Sequence, residues 1–359
     1  MVARRIALAT AQHEQLATEV AAALRHGDLC ALPTETVYGL ALLPSSARAL
    51  ERVRALKGRR AEHEFTFHLA AAADADRLAR TDDVRVRRLI ARYWPGPLTL
   101  VLPGHDGRAV GVRVPAHDFA RRTIAASGGP LWLTSVNRSG DPPLCEPDAI
   151  TAAFGQELAI VVDDGPSPLG TASTVVRCTG PELEVLREGI LARADVLHTA
   201  AAHVLFVCTG NTCRSPMAEV LARDAVARAL DVAPGRLLAR GLSFASAGTG
   251  TLDGMQASEG SVIALQERGL DLHDHRSRAL TRELCARATR IFCMSGSHRD
   301  AVLDLAPDAA AKTALLRPDG GNIADPYGGE LPDYRSARDE ITAAIGERLR
   351  ELLALLPAK

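Results

Sequence analysis

Eight consecutive residues, Cys208-Thr209-Gly210-Asn211-Thr212-Cys213-Arg214-Ser215, concentrate the reactive chemistry of this 359-residue chain. They follow the apolar stretch Val204-Leu205-Phe206-Val207 and precede Pro216, which suits the first turn of a helix because its missing N–H would be unpaired there. The spacing predicts a loop on a helix N-terminus, where unpaired amides and the helix dipole favour phosphate or another oxyanion. One turn of such a loop brings the Arg214 guanidinium round to the anion that Cys208 faces. The amides, the dipole and Arg214 are expected to lower the Cys208 thiol from about 8.5 into the range of about 3.5 to 7.5, giving a nucleophilic thiolate. Ser215 can donate a hydrogen bond to that thiolate, and Arg214 can fork two equatorial phosphate oxygens. Thr209, Gly210, Asn211, Thr212 and Cys213 complete the phosphate-binding loop. Phosphoryl transfer also needs an acid for the leaving group, and the turn-rich stretch Ala324-Asp325-Pro326-Tyr327-Gly328-Gly329 offers Asp325.

Residues 204–219, Ser246-Ala247-Gly248-Thr249, His275-Arg276-Ser277-Arg278 and 325–329 resemble the low-molecular-weight protein tyrosine phosphatase family. The resemblance implies Cys208 as nucleophile, Arg214 as phosphate ligand and Asp325 as general acid, with a cysteinyl-phosphate intermediate and no cofactor. Tyrosine-directed members carry a larger aliphatic residue where this chain has Thr212. A protein-arginine-phosphatase branch has threonine there, which implies a phosphoarginine protein substrate first and phosphotyrosine next. Arsenate reductase is the rival on this fold and requires two relay cysteines. Cys285 and Cys293 raise it, although no cysteine follows Cys293. For Cys213, simple packing and a reversible disulfide with Cys208 both stay open.

A second set of polar clusters lies in the N-terminal half. Pro33-Thr34-Glu35-Thr36-Val37-Tyr38-Gly39-Leu40 leaves a strand in a turn dense with hydroxyls, Lys57-Gly58-Arg59 ends a helix, and Thr134-Ser135-Val136-Asn137-Arg138-Ser139-Gly140 leaves another strand. With Val112-Arg113-Val114-Pro115, Trp94-Pro95-Gly96-Pro97, Ser173-Thr174-Val175 and Arg187-Glu188-Gly189, these segments resemble the YrdC-like threonylcarbamoyl-AMP synthase family. That resemblance implies ATP (with Mg2+), L-threonine and bicarbonate as substrates. Lys57, Arg59, Ser135, Asn137 and Arg187 would face ATP, and Thr34, His68, Arg113 and Ser173 the threonine. It also implies double-stranded RNA binding and a link to tRNA or tRNA-modifying enzymes. The chain departs from the family at Arg60-Ala61-Glu62-His63-Glu64-Phe65 and at Leu133, where serine is usual, so a catalytically silent nucleotide- or RNA-binding module is the alternative.

These motifs need elements to hold them. Apolar periodicity predicts helices over 12–25, 47–57 and 83–93 and strands over 29–32, 65–69, 98–102, 111–114, 131–134, 159–162 and 174–177, a mixed, twisted-sheet α/β domain over residues 1–195. After a small, Ala-rich stretch, residues 203–359 alternate strand (204–207), helix (216–229), strand (243–246), helices (258–268, 282–286), strand (290–294) and helix (334–356), which implies a doubly wound parallel sheet. A hydrophobic fraction of 47% and a charged fraction of 24% exclude wholesale disorder, and a net charge of −1 offers no global field for nucleic acid. Seven cysteines without a CxxC pair speak against a disulfide framework or a structural zinc site, and no metal site is expected. Without a long apolar run or a secretory leader, a cytoplasmic location and no membrane partner are expected.

Overall fold

The computed structural model describes residues 3–8, 13–58 and 65–357. The chain forms two compact units, Met1–Ala200 and Ala201–Lys359. The first runs β1 (Arg4–Ala7), α1 (His13–Arg25), β2 (Cys30–Leu32), β3 (Gly39–Leu42), α2 (Ala47–Lys57), β4 (Thr66–His68), α3 (Val84–Tyr93), β5 (Leu98–Pro103), β6 (Ala109–Arg113), α4 (Asp118–Ala126), β7 (Leu131–Ser135), α5 (Pro147–Phe154), β8 (Ile160–Asp163), β9 (Thr174–Arg177), β10 (Glu184–Arg187) and α6 (Arg193–Ala200). The strands make one mixed sheet in the order β1-β8-β2-β3-β7-β4-β6-β5-β9-β10. Its strands alternate their side chains between two cores. Leu29, Ala31, Leu40 and Val161 pack on one side with Val53 and Ile150, and Cys30, Leu32, Ala41 and Val162 on the other with Val20, Leu24 and Phe119.

Three strands and three helices of this unit escape the periodicity argument. β1 lies at the sheet edge and is largely exposed, β3 continues directly out of the hydroxyl-rich turn, and β10 alternates around the one buried residue Val185. The helices α4, α5 and α6, of 8 or 9 residues each, fall in stretches for which no helix was predicted.

The second unit runs β11 (Ala202–Cys208), α7 (Arg214–Ala229), α8 (Leu237–Arg240), β12 (Leu242–Gly248), α9 (Glu259–Gln266), α10 (Arg282–Arg287), β13 (Arg290–Cys293), α11 (Gly296–Leu305), β14 (Thr313–Leu315) and α12 (Leu331–Leu353). All four strands are parallel, in the order β12-β11-β13-β14. Central β11 is apolar almost throughout because both its faces are covered: Val204 and Phe206 pack with Met217, Leu221 and Ile341, Leu205 and Val207 with Ile291 and Val302. Helix α7 begins at Arg214 rather than at Pro216. Proline is tolerated inside the first turn because none of its N–H groups has an intrahelical acceptor. Among the described residues no helix is long and apolar enough to cross a membrane.

Candidate active sites

In the second unit the cradle leaves the C-terminal end of β11 beside β13, where the strand order reverses, the usual ligand position in a doubly wound sheet. Cys208 is 2% exposed. Its Sγ lies 3.0 Å from Ser215 Oγ and accepts from the Asn211 amide at 3.3 Å. Asn211 turns the loop in the left-handed region, at φ 51°. Its Nδ2 donates to Ser215 Oγ at 2.9 Å and its Oδ1 accepts from the Arg278 amide at 2.9 Å. His275 Nε2 meets Asn211 O at 2.7 Å. The cradle is therefore tied at its base to the segment 275–278.

Arg214 is buried. One of its Nη groups donates to Ile323 O at 3.2 Å, the other pairs with Asp325, and its Nε is buried without a partner. Arg214 thus joins the Cys208–Ser215 loop to Asp325, 111 positions further along the chain. The thiol departs from the expectation. Burial pushes Cys208 above its ordinary value, against the pull of Ser215, the Asn211 amide and Arg214. Desolvation outweighs all three.

The other loop residues take distinct places. Thr209 is exposed at the rim, and its Oγ1 lies 2.8 Å from His298 Nε2. A side chain at Gly210 would approach Thr212 Oγ1 at 3.3 Å. Thr212 Oγ1 lies 3.6 Å from Cys213 Sγ. Cys213 is buried against Ala264 and Tyr334 and accepts from Ser258 Oγ at 3.2 Å. Its sulfur, like those of the other six cysteines, is free. Cys285 and Cys293 are 0% exposed within the core, where burial raises both thiols, Cys293 to about 12. Ser258 and Tyr334 enter the sequence reading only as the first residues of predicted helices, without a role, and His298 does not enter it, since α11 was not predicted.

In the first unit a cleft of about 520 Å³ is lined by Thr34, His68, Arg113, Ser135, Asn137, Ser173 and Arg187, together with Leu133. Lys57, 2% exposed at the end of α2, donates to Asn137 Oδ1 at 2.9 Å, beneath that lining. Arg59 lies outside the described residues. His68 and Arg113 sit side by side because β4 and β6 are parallel neighbours in that register. Arg113 is 4% exposed, donates to Glu35 Oε1 at 2.6 Å and to Gly96 O at 3.1 Å, and presents a fixed cation to the cleft. Burial and the Arg113 charge hold the His68 imidazole down at about 3, so the ring is neutral. Arg187 donates to Ser173 O at 2.9 Å, and Ser173 Oγ lies 2.9 Å from Thr99 Oγ1. Leu133 packs against Gly39, where a Cβ would come within 2.8 Å of its Cδ2. Glu35 stood in a quoted motif without a role; pairing Arg113 gives it one.

The guanidinium groups of Arg113 and Arg187, Lys57 beneath Asn137 and a ring of hydroxyls suit a carboxylate and a phosphate in one cleft; a buried thiol beside a guanidinium suits phosphoryl transfer. Residues 22–189 match the Sua5/YciO/YrdC family model, described as Telomere recombination, and residues 203–358 the model described as Low molecular weight phosphotyrosine protein phosphatase. The chain is similar to a Threonylcarbamoyl-AMP synthase of Chromohalobacter salexigens, 38% identical over 40% of this chain and 82% of that protein. It is similar to a Protein-arginine-phosphatase of Geobacillus stearothermophilus, 38% identical over 42% of this chain and 95% of that protein. A solved structure of Pyrococcus abyssi Sua5 covers 57% of this chain and 71% of its own at 29% identity, with a TM-score of 0.52. The chain spans only 54% of the length of the synthases from Pyrococcus abyssi and Bacillus subtilis that it also matches. The chain therefore belongs to two families in tandem, the Sua5/YciO/YrdC family through its first unit and the low molecular weight phosphotyrosine protein phosphatase family through its second.

Proposed function

We propose that residues 201–359 act as a protein phosphatase that prefers phosphoarginine to phosphotyrosine, and that residues 1–200 make threonylcarbamoyl-AMP from ATP, L-threonine and bicarbonate. The observation that carries the first half is the convergence of a buried cysteine, an arginine with an unpaired buried Nε and a half-exposed aspartate on one helix N-terminus. An arriving phosphoryl group takes Arg214 from Asp325. Ser215, the cradle amides and Arg214 then favour the thiolate, and the thiol proton passes through solvent to the freed Asp325 carboxylate. Cys208 Sγ attacks phosphorus, the bond from phosphorus to the leaving nitrogen breaks, and Asp325 gives that nitrogen its proton. Water next attacks the cysteinyl phosphate with Asp325 as base, releasing inorganic phosphate and the thiolate. Thr212 supports the arginine preference, because a short hydroxylic side chain leaves polar room for a guanidinium.

In the first unit Arg113 would hold the threonine carboxylate, with Thr34, His68 and Ser173 around it, while Lys57, Ser135, Asn137 and Arg187 would face the ATP phosphates. Among the described residues no group of three His, Cys, Asp or Glu side chains could hold a metal, and Asp141 is the carboxylate lining the cleft. Mg2+ would arrive on the ATP phosphates. The product would feed tRNA threonylcarbamoyladenosine, with tRNA or its modifying enzymes as partners, in the cytoplasm; double-stranded RNA binding belongs to the same proposal. The buried Cys285 and Cys293 do not favour an arsenate relay. The test is a substrate panel on the full chain. Phosphate release from phosphoarginine above phosphotyrosine, none coupled to arsenate, and threonine- and bicarbonate-dependent pyrophosphate release from ATP are expected. Phosphotyrosine preference, or ATP binding without pyrophosphate release, would overturn the respective half.

A further inference from the structure

The residue after the nucleophile is gripped by a histidine that the reaction above does not use. His298 opens α11, is 4% exposed, and has both ring nitrogens on hydroxyl groups: Nε2 at 2.8 Å from Thr209 Oγ1 and Nδ1 at 2.8 Å from Ser295 Oγ. Burial and the nearby Arg214 charge keep the ring neutral, at about 4, against the opposing Asp325. A neutral imidazole has one N–H and one acceptor nitrogen, so one hydroxyl accepts a hydrogen bond from it and the other donates one to it. In either tautomer Thr209 Oγ1 retains a lone pair. The Thr209 backbone is held as well, since its carbonyl accepts from the Gly250 amide at 3.0 Å. The hydroxyl is thus fixed in direction while the residue stands exposed at the mouth of the cradle.

Which part of a substrate meets that lone pair follows from Asp325. The segment that leads into His298 is fastened to the one that carries the acid: the Ile323 amide donates to Met294 O at 2.8 Å and the Gly296 amide to Asn322 Oδ1 at 2.9 Å, so the Thr209–His298 pair stands beside the loop that holds Asp325, on the leaving-group side of the site. A guanidine leaving group carries N–H donors there; a phenolate oxygen carries none. We propose that His298 positions the Thr209 hydroxyl as an acceptor for a guanidinium N–H, making this pair a second determinant of selectivity for phosphoarginine over aryl phosphates. The inference rests on the phosphoarginine reading above. Thr209 is the contacting group, and His298 is a positioning residue that acts through it.

The experiment measures kcat/KM of the full chain for phosphoarginine and phosphotyrosine in wild type, Thr209→Val, Thr209→Ser, His298→Leu and the double variant Thr209→Val/His298→Leu. Valine keeps the shape of threonine and removes the hydroxyl; serine keeps the hydroxyl. The phosphoarginine-to-phosphotyrosine ratio is expected to fall roughly ten-fold in Thr209→Val, the factor that one hydrogen bond brings, and to return towards wild type in Thr209→Ser. His298→Leu should lower the ratio similarly, and the double variant should be no worse than either single one, because both remove the same contact. Should His298→Leu fail to fold, the two variants of the exposed Thr209 still decide. An unchanged ratio in Thr209→Val, a serine variant as poor as the valine, or multiplying losses in the double variant would each overturn the inference while leaving the phosphoarginine reading intact. A wild type that cleaves phosphotyrosine but not phosphoarginine would overturn both.

Discussion

Substitutions at Asn211 separate the two factors that hold the cradle in shape, a left-handed backbone and a pair of buried side-chain bonds. Asn211 is 0% exposed and sits at φ 51°. Asn211→Gly keeps that conformation accessible but removes the bonds from Nδ2 to Ser215 Oγ and from the Arg278 amide to Oδ1. At about 0.5–1.5 kcal/mol each, they amount to about 2 kcal/mol. Asn211→Ala loses the same bonds and forces a Cβ into the left-handed region, adding about 1 kcal/mol. With a urea dependence of about 2 kcal/mol per molar, the unfolding midpoint of the second unit should fall by about 1 M for glycine and about 1.5 M for alanine. Cys285 and Cys293, both 0% exposed, report that transition through their alkylation. Trp94 and Trp132 both lie in the first unit, so their fluorescence supplies a reference transition in the same sample. Equal midpoints for glycine and alanine would refute the backbone argument, and a glycine shift below about 0.3 M would refute the value placed on the two bonds.

Asp325→Asn frees Arg214 from its resting partner, so vanadate should bind several-fold more tightly while cleavage of poor leaving groups slows about 100-fold and activated esters much less; weaker vanadate binding would argue against the resting pair. Thr212→Ile should lower the phosphoarginine-to-phosphotyrosine ratio of kcat/KM about ten-fold or more, since guanidinium N–H groups would face an alkyl surface unpaired, and an unchanged ratio would remove Thr212 from selectivity. His68 stays neutral in the fold down to about 3 against 6.5 when unfolded. Between those values the unfolded chain binds a proton that the native chain does not, so stability is full above about 6.5 and declines by about 1.4 kcal/mol per pH unit as pH falls. His68→Gln should flatten this slope between pH 6.5 and 5 in urea titrations followed by tryptophan fluorescence; an equally steep slope would exclude His68 as its source.

The cradle was legible in the sequence because its parts are local. An apolar strand, a loop containing a residue that tolerates the left-handed region, and a helix start follow one another without interruption from Val204 to Pro216, and short-range backbone geometry makes an anion site of that order. The synthase-like cleft was legible only as separate strand-end motifs, and β1, β3, β10, α4, α5, α6 and α11 were not legible, since in short elements contacts with distant segments, rather than period alone, decide which runs are held. Only the tertiary structure decided which groups meet: Lys57 with Asn137, 80 positions apart, Glu35 with Arg113, 78 apart, Thr209 with His298, 89 apart, and Arg214 with Asp325, 111 apart. It also reversed the expected direction for Cys208, because desolvation depends on what the rest of the chain packs around the sulfur. Spacing along a chain records which groups can share one turn of backbone; sheet order and burial, set by contacts between distant segments, decide which of them share a charge.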